Sequence, residues 1–201
     1  MWRSDSSLST AATGQVHFIF FGRLIDWKAV DLLLEAFPAV VAQTDGVLEI
    51  IGDGDIRGEL EAQTARLGID SSVVFSGWLS PEECTIKLQQ ADALVLPSLR
   101  EGGGAVVLEV MAVGLPVIAT NWDGPADYLN SICGILVEPA SKEGFVKGLT
   151  EAMLKITQSP ELRHSMGCAG RERVREHFDW ERKVDRILEI YQQTIDACPK
   201  P

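Results

Sequence analysis

Short apolar runs alternate with longer segments of helical periodicity through most of the chain. The runs have the β-branched and aliphatic content that is typical of strands. They are Val16–Phe21, Val47–Ile51, Val73–Phe75, Ala93–Leu96, Pro116–Thr120 and Gly134–Val137. Three further helices are predicted at about 142–157, 160–177 and 179–197. This alternation predicts βαβ units. The expected fold is therefore α/β, with a Rossmann-like doubly wound parallel sheet of about six strands, helices on both faces and a helical C-terminal end.

Two places should interrupt this pattern. Pro38 lies within the first helical segment, which begins near Asp31. Proline lacks a backbone donor and crowds the preceding turn, so the helix should kink or end there. The segment Asn121–Pro125, after the fifth apolar run, is predicted to be a turn.

A glycine-rich turn between the fourth and fifth runs is the most distinctive stretch. Gly102–Gly104 precede an apolar helix that should be buried, in which Glu109 is the one charge. A buried carboxylate needs a partner, such as a ligand hydroxyl or a basic side chain. Glu101 lies where the free N–H groups of the helix would attract an anion. Because helical Cβ atoms tilt toward the N-terminus, Glu109 should lean toward the same opening. The alternative is a flexible turn, a solvated Glu101, and a Glu109 paired in the core.

Unusual polar and glycine residues follow nearly every predicted strand. Parallel doubly wound sheets bind ligands beyond the carboxyl ends of their strands, so this distribution predicts a binding site there. A dinucleotide-binding fold is one competing interpretation. Gly52-Asp53-Gly54 lacks the third glycine of that fingerprint, because position 57 is Arg.

Arg23 and Lys28 flank the loop that follows the first strand. Both cations could meet an anion from the side opposite the glycine turn, since guanidinium and ammonium groups bind phosphate oxygens. Two solvated surface cations are the alternative.

Composition argues against several classes of protein function. The chain has 201 residues, which fits one domain, and a formal net charge of −11, which argues against nucleic acid as a partner. Its four cysteines show no metal-binding spacing, so no metal site is expected, and reduced thiols favour a cytoplasmic location. No apolar run is long enough to span a bilayer. Residues 1–15 are small and polar, and are interpreted as a disordered linker or cloning remnant.

Two motifs resemble those of family 4 glycosyltransferases and their relatives, which have the GT-B fold. Glu101 and Glu109 have the spacing of the E-x7-E signature, within a segment similar to P-S-x-x-E-G-x-G…L-E-x-M-A-x-G-x-P-V-I-A-T. The segment that starts at Gly22 is similar to G-R-L-x-x-x-K-x-x-D. The resemblance covers about Val16 to Tyr191. It implies a nucleotide-sugar-binding domain at 16–197.

The resemblance also implies roles for individual residues. Gly22, Arg23 and Lys28 would hold the donor diphosphate of a UDP- or GDP-type sugar. Glu101, with Gly102 and the amides of Gly103 to Ala105, would hold the donor sugar and phosphate. Glu109 would bind the ribose and Leu79 would lie against the base. Two departures are evident: the usual K-G is Lys28-Ala29, and Gly103 stands where an aromatic residue is usual.

For the whole protein, the resemblance implies a retaining glycosyltransferase that transfers a sugar to an acceptor hydroxyl. The resemblance also implies that no metal or other cofactor is needed. The family places an acceptor-binding domain first, so this chain is expected to be a donor domain that is inactive alone, from a parent that could contact a membrane peripherally. Two alternatives stay open: a non-catalytic nucleotide-binding or interaction domain, and a GT-B sugar-nucleotide epimerase or phosphorylase.

Overall fold

A six-stranded parallel sheet forms the centre of the molecule. The computed structural model of the chain describes residues 15–197. The strands are β1 (His17–Phe21), β2 (Val47–Ile51), β3 (Val73–Gly77), β4 (Ala93–Leu96), β5 (Val117–Thr120) and β6 (Gly134–Val137). Their order across the sheet is β3-β2-β1-β4-β5-β6, and every adjacent pair is parallel. The predicted doubly wound sheet is confirmed. Most of the predicted linker, residues 1–14, lies outside the described part.

Helices cover both faces of the sheet. They are α1 (Val30–Val41), α2 (Arg57–Leu67), α3 (Pro81–Gln90), α4 (Ala105–Val113), α5 (Asp123–Tyr128), α6 (Lys142–Gln158), α7 (Pro160–His177) and α8 (Trp180–Ala197). Helix α1 packs against α2 and α6, whereas α4 packs against α3, α5 and α7. Helix α8 buries none of its residues. No helix within residues 15–197 is long and apolar enough to cross a membrane.

The two helical layers explain why the strand sequences are continuous apolar runs. All four residues of β4 and all four of β5 are buried, because each face of the sheet is covered. The core extends from Phe18 and Phe20 in β1 to Phe37 in α1 and Phe145 in α6. A single apolar core therefore fixes the strand ends from which the functional loops emerge.

Local signals set several helix ends. Ser80 accepts a hydrogen bond from the Glu83 backbone N–H while the Glu83 side chain accepts one from the Ser80 backbone, which is a complete capping box before Pro81. Gly114, with φ of 93°, ends α4 in the left-handed conformation that favours glycine.

Two local predictions were wrong. Helix α1 does not end at Pro38 but continues to Val41. Pro38 lies in its last turn, which the buried side chains of Phe37 and Val40 anchor in the core. The predicted turn at Asn121–Pro125 contains the start of a short helix, α5, at Asp123. Pro125 fits that helix because it lies in the first turn, where its missing N–H would have no intrahelical acceptor.

Candidate functional site

The strand order reverses between β1 and β4, and the loops that follow these two strands meet at that point. On one side of this pair, β2 and β3 follow β1 outward, and on the other side β5 and β6 follow β4 outward. Such a switch point leaves a crevice at the carboxyl ends of the strands, where doubly wound domains bind ligands. The Leu99 backbone N–H, in the loop after β4, donates to the Trp27 carbonyl, after β1, at 2.8 Å. The loops of residues 22–29 and 97–104 are thus in direct contact at the switch point.

The loop after β1 rests on the glycines that follow β2. A Cβ atom on Gly52 would lie 1.9 Å from the Gly22 carbonyl oxygen, and one on Gly54 would lie 2.3 Å from that of Leu24. The Leu24 backbone N–H also donates to the Asp53 carbonyl at 2.9 Å. Gly52 and Gly54 therefore have a packing role, since only glycine permits this close approach. Close backbone packing thus accounts for the two glycines that resemble part of a dinucleotide fingerprint, and no bound ligand is needed to explain them.

Ala29 keeps the backbone turn that its sequence had placed in question. Its φ of 51° and ψ of 35° are left-handed, and it precedes α1 as the N-cap residue. An L-residue other than glycine pays roughly 1–2 kcal/mol for this conformation. The buried environment of Ala29 holds it there. The loop after β1 thus takes a left-handed turn at Ala29, where the family resemblance leads one to expect glycine.

Lys28 and Glu101 form an ion pair across the switch point. The Lys28 ammonium donates to Glu101 Oε2, and the two side chains are only 16% and 14% exposed. The stem of Lys28 passes beside Gly22, whose added Cβ would lie 3.7 Å from Lys28 Cε. Arg23 is exposed and makes no ion pair within residues 15–197. The structure brings Lys28 to the glycine turn, as the sequence predicts, and leaves Arg23 at the rim.

The glycine turn presents unused backbone donors to the crevice. Within residues 15–197, the amides of Gly102, Gly103 and Gly104 donate no hydrogen bond. Gly104 has φ of 58° and begins α4, so the turn ends at the helix N-terminus before Ala105. Free N–H groups and the positive end of the helix dipole together favour an anion. The Lys28 ammonium adds a full positive charge on the other side.

Helix α4 is less enclosed than its sequence predicts, and the expected burial of Glu109 is wrong. Ala105, Glu109 and Ala112 are exposed, whereas Val107, Val110 and Met111 are buried. The apolar composition hides this asymmetry, because α4 packs against the sheet and against α3, α5 and α7, and still leaves one side open to solvent. Glu109 needs no protein partner when it faces solvent. It shares the open face with Ala105, one turn nearer the glycine turn.

Leu79 and Cys84 border the same open face. Leu79 is half-buried against the core, and its carbonyl lies 3.9 Å from the Cys84 sulfur atom. Burial raises the pKa of the Cys84 thiol, and the carboxylates of Glu83 and Glu109 raise it further. Leu79 precedes α3, and α3 packs against α4, the helix that carries Glu109.

Sequence reasoning missed several residues at the ends of these strands. The indoles of Trp27 and Trp122 are largely exposed on either side of the β4 loop. Their positions could have been noticed in the sequence, because each is a tryptophan in a short polar segment directly after a strand. The hydroxyls of Ser98 and Thr120 are buried without a hydrogen-bond partner among the described residues. Nothing in the sequence separates these two hydroxyls from ordinary packed ones.

The parallel sheet, its strand order and the surrounding helices define a Rossmann-like domain, with the glycine turn at its switch point. Comparison with known proteins gives the family. The model of glycosyl transferases group 1 matches residues 6–173, so the chain belongs to that family.

Individual relatives agree with this assignment. The chain is 33% identical over 178 residues to a GDP-mannose-dependent monoacylated alpha-(1-6)-phosphatidylinositol monomannoside mannosyltransferase of Corynebacterium glutamicum, across 85% of this chain and 45% of the relative. Sucrose-phosphate synthase from Thermosynechococcus elongatus superposes with a TM-score of 0.77 at 27% identity, across 91% of this chain and 46% of that one.

A separate C-terminal domain of a group 1 family protein from Francisella tularensis superposes with a TM-score of 0.74 at 24% identity. That match covers 82% of this chain and 87% of the Francisella domain. The fold is thus the Rossmann-like domain of GT-B glycosyltransferases. The chain spans about half the length of the curated relatives it matches.

Proposed function

We propose that this chain is the donor-binding domain of a retaining glycosyltransferase, and that it binds a nucleoside diphosphate sugar in the crevice between β1 and β4. The observation that carries the proposal is the Lys28–Glu101 pair beside three unused glycine amides. A diphosphate would accept from these amides and share the Lys28 ammonium, with Arg23 at the rim. Glu101 would then be free to accept hydrogen bonds from sugar hydroxyls.

The nucleoside would extend along the open face of α4. Glu109 would accept hydrogen bonds from the ribose hydroxyls, and Leu79 would contact the base. Glycosyl transfer places negative charge on the departing diphosphate, and preorganised donors aimed at that charge lower the barrier. Lys28, Arg23 and the N-terminus of α4 supply those donors. We propose that these cations act without a metal ion, so ligand binding should persist in the presence of EDTA.

Relatives support the choice of ligand. A structural neighbour from Anabaena was solved in complex with UDP and glucose, and the C. glutamicum relative is GDP-mannose-dependent by name. Because those proteins are about twice as long, we propose that an acceptor-binding domain completes the active site. A donor held without an acceptor loses positioning that is worth about 7–11 kcal/mol of barrier. This chain alone should therefore bind the donor and transfer no sugar.

Calorimetric titration with UDP, GDP, UDP-glucose and GDP-mannose tests the proposal. At least one nucleotide should bind, more weakly at high salt because the contact is ionic. Lys28→Ala should weaken that binding by about 1.5–3 kcal/mol, the range for a hydrogen bond to a charged group. Lys147→Ala is the matched control, since Lys147 is exposed on α6 and has its own partner, Glu151.

The outcomes separate the competing functions. Failure of all four ligands to bind would contradict the proposal and favour a domain that binds a protein partner. Equal losses in Lys28→Ala and Lys147→Ala would place the anion elsewhere. Sugar transfer by the chain alone to a simple acceptor would overturn the need for a second domain.

A further inference from the structure

Tryptophan is distributed unevenly over the described surface. The exposed tryptophans of residues 15–197 are Trp27, Trp78, Trp122 and Trp180. The first three follow β1, β3 and β5 at the carboxyl edge of the sheet, and Trp180 begins α8. An indole this large is normally buried over most of its surface, so a set of exposed ones at one edge suggests contact with something else.

Trp27 and Trp122 flank the glycine turn directly. Strands β1 and β5 are the two neighbours of β4. The Trp27 carbonyl accepts from the Leu99 N–H at 2.8 Å, and the N–H of Gly124, two residues after Trp122, donates to the Glu101 carbonyl at 3.3 Å. The β4 loop is therefore held from one side by the segment of Trp27 and from the other by that of Trp122. The two residues are 49% and 55% exposed.

Unusual backbone conformations accompany both tryptophans. Within residues 15–197, Ala29 and Asp123 are the non-glycine residues with positive φ, at 51° and 49°. Ala29 comes two residues after Trp27, and Asp123 directly follows Trp122. The Trp122 N–H also closes a tight turn onto the Thr120 carbonyl at 2.9 Å. Such conformations persist only where the surroundings enforce them, and they cluster at ligand sites. Here they accompany two exposed indoles whose chain segments flank the glycine turn.

We propose that Trp27 and Trp122 form a stacking site for the ring of a pyranose sugar. A pyranose has an apolar C–H face and a hydroxyl edge, which suits an indole face beside the acceptor oxygens of Glu101. This inference rests on the proposed function and adds the residues that recognise the sugar. The proposed function assigns the base to Leu79, so the two tryptophans are assigned to the sugar rather than to the nucleotide.

Binding measurements on the full chain test this assignment. The variants are Trp27→Ala and Trp122→Ala, with Trp180→Ala as the matched control because Trp180 is 77% exposed on α8, outside the site. Trp122→Phe keeps an aromatic face. The probes are UDP beside UDP-glucose, GDP beside GDP-mannose, and the free disaccharides maltose and α-1,2-mannobiose. Thermal melts check that each variant is folded.

The first case is that the stacked sugar is the one carried by the nucleotide-sugar donor. Trp27→Ala and Trp122→Ala should each lower affinity for the nucleotide sugar by about tenfold, the change that corresponds to 1.4 kcal/mol, and leave the nucleotide alone unchanged. Trp122→Phe should recover most of the loss. If the sugar comes from the acceptor instead, the same variants should weaken disaccharide binding alone. Both results support the pyranose site and distinguish its source.

Other results would overturn it. If the tryptophan variants leave every affinity unchanged, or weaken binding of nucleotide and nucleotide sugar equally, the sugar-stacking role is contradicted. The proposed donor site is not affected by either result. If the unaltered chain binds no nucleotide, the proposed function is contradicted. The sugar-stacking proposal is then contradicted too, unless the tryptophan variants reduce disaccharide binding.

Discussion

Lys28 and Glu101 neutralise each other across the switch point. Under the proposed function, a diphosphate would compete with Glu101 for the same ammonium. The Glu101 carboxylate would then need new donors, because a mostly buried charge without a partner is costly. Sugar hydroxyls could supply them. We therefore expect ligands that carry both a phosphate and hydroxyl groups to bind better than inorganic phosphate alone.

Glu109 gives a residue-scale prediction. We expect Glu109→Gln to weaken nucleotide binding by about 1–3 kcal/mol, because a charged acceptor for the ribose hydroxyls is lost. The free energy of unfolding should change by less than about 0.5 kcal/mol, since the side chain is exposed and pairs with no residue in the described range. Calorimetry with the nucleotide and a denaturant titration measure the two quantities. A loss of stability with unchanged affinity would make Glu109 a structural residue.

The same residue shows how far the sequence could predict the site. The position of Glu109 on the helix after the glycine turn followed from local pattern, and the structure agrees. Its exposure did not follow, because a helix made of Ala, Val, Leu and Met does not reveal which side its neighbours cover. The left-handed turn at Ala29 was also beyond reach, since alanine gives no signal for positive φ. Tertiary contacts decide both features.

At the scale of elements, Glu49 ties β2 to β3 and α3. It is a buried carboxylate in an otherwise apolar strand. Lys87 Nζ of α3 lies 2.7 Å from Glu49 Oε1, Ser76 of β3 donates to the same oxygen, and His17 Nε2 lies 3.2 Å from Oε2. Burial alone would raise the pKa of the Glu49 carboxyl, but the hydrogen bonds from Lys87 and Ser76 outweigh it and the pKa is lowered.

This cluster predicts a pH dependence of stability. A carboxyl whose pKa is lower in the folded state stabilises the fold above its unfolded pKa of about 4.3, and that contribution is lost as pH falls through the folded value. Glu49→Gln should therefore cost about 1–3 kcal/mol at pH 7 and progressively less below about pH 4. Denaturant titrations across this range measure it, with the exposed Glu151→Gln as control. A cost for Glu49→Gln that does not vary with pH would contradict the account.

Element types were well predicted for a physical reason. Strands covered on both faces must be apolar throughout, so their runs stand out, and the helices between them carry ordinary end signals. Exceptions arise where one element is short. The six residues of α5 contain Asp, Gly and Pro, which are typical of turns. Pro38 was misleading because its effect depends on its distance from the helix end, which tertiary packing sets.

At the scale of the whole molecule, the order of the strands in the sheet could not be predicted from the sequence. Several doubly wound orders share the same alternation of strands and helices, and each has a different switch point. The observed order places β1 beside β4, so loops more than 70 residues apart form one crevice. The resemblance to a family predicted which residues to examine. The sheet topology explains why those residues meet.

We propose that a nucleoside diphosphate binds between the loops after β1 and β4. The most direct measurement is an amide NMR titration of the uniformly ¹⁵N-labelled chain with UDP and with GDP. We predict that the largest shifts fall on Gly22, Lys28 and the amides of Gly102–Gly104. The amides of Gly46 and Gly68, at the amino ends of β2 and β3, should stay in place. Shifts centred on Gly46 or Gly68, or no shifts with either nucleotide, would contradict the account.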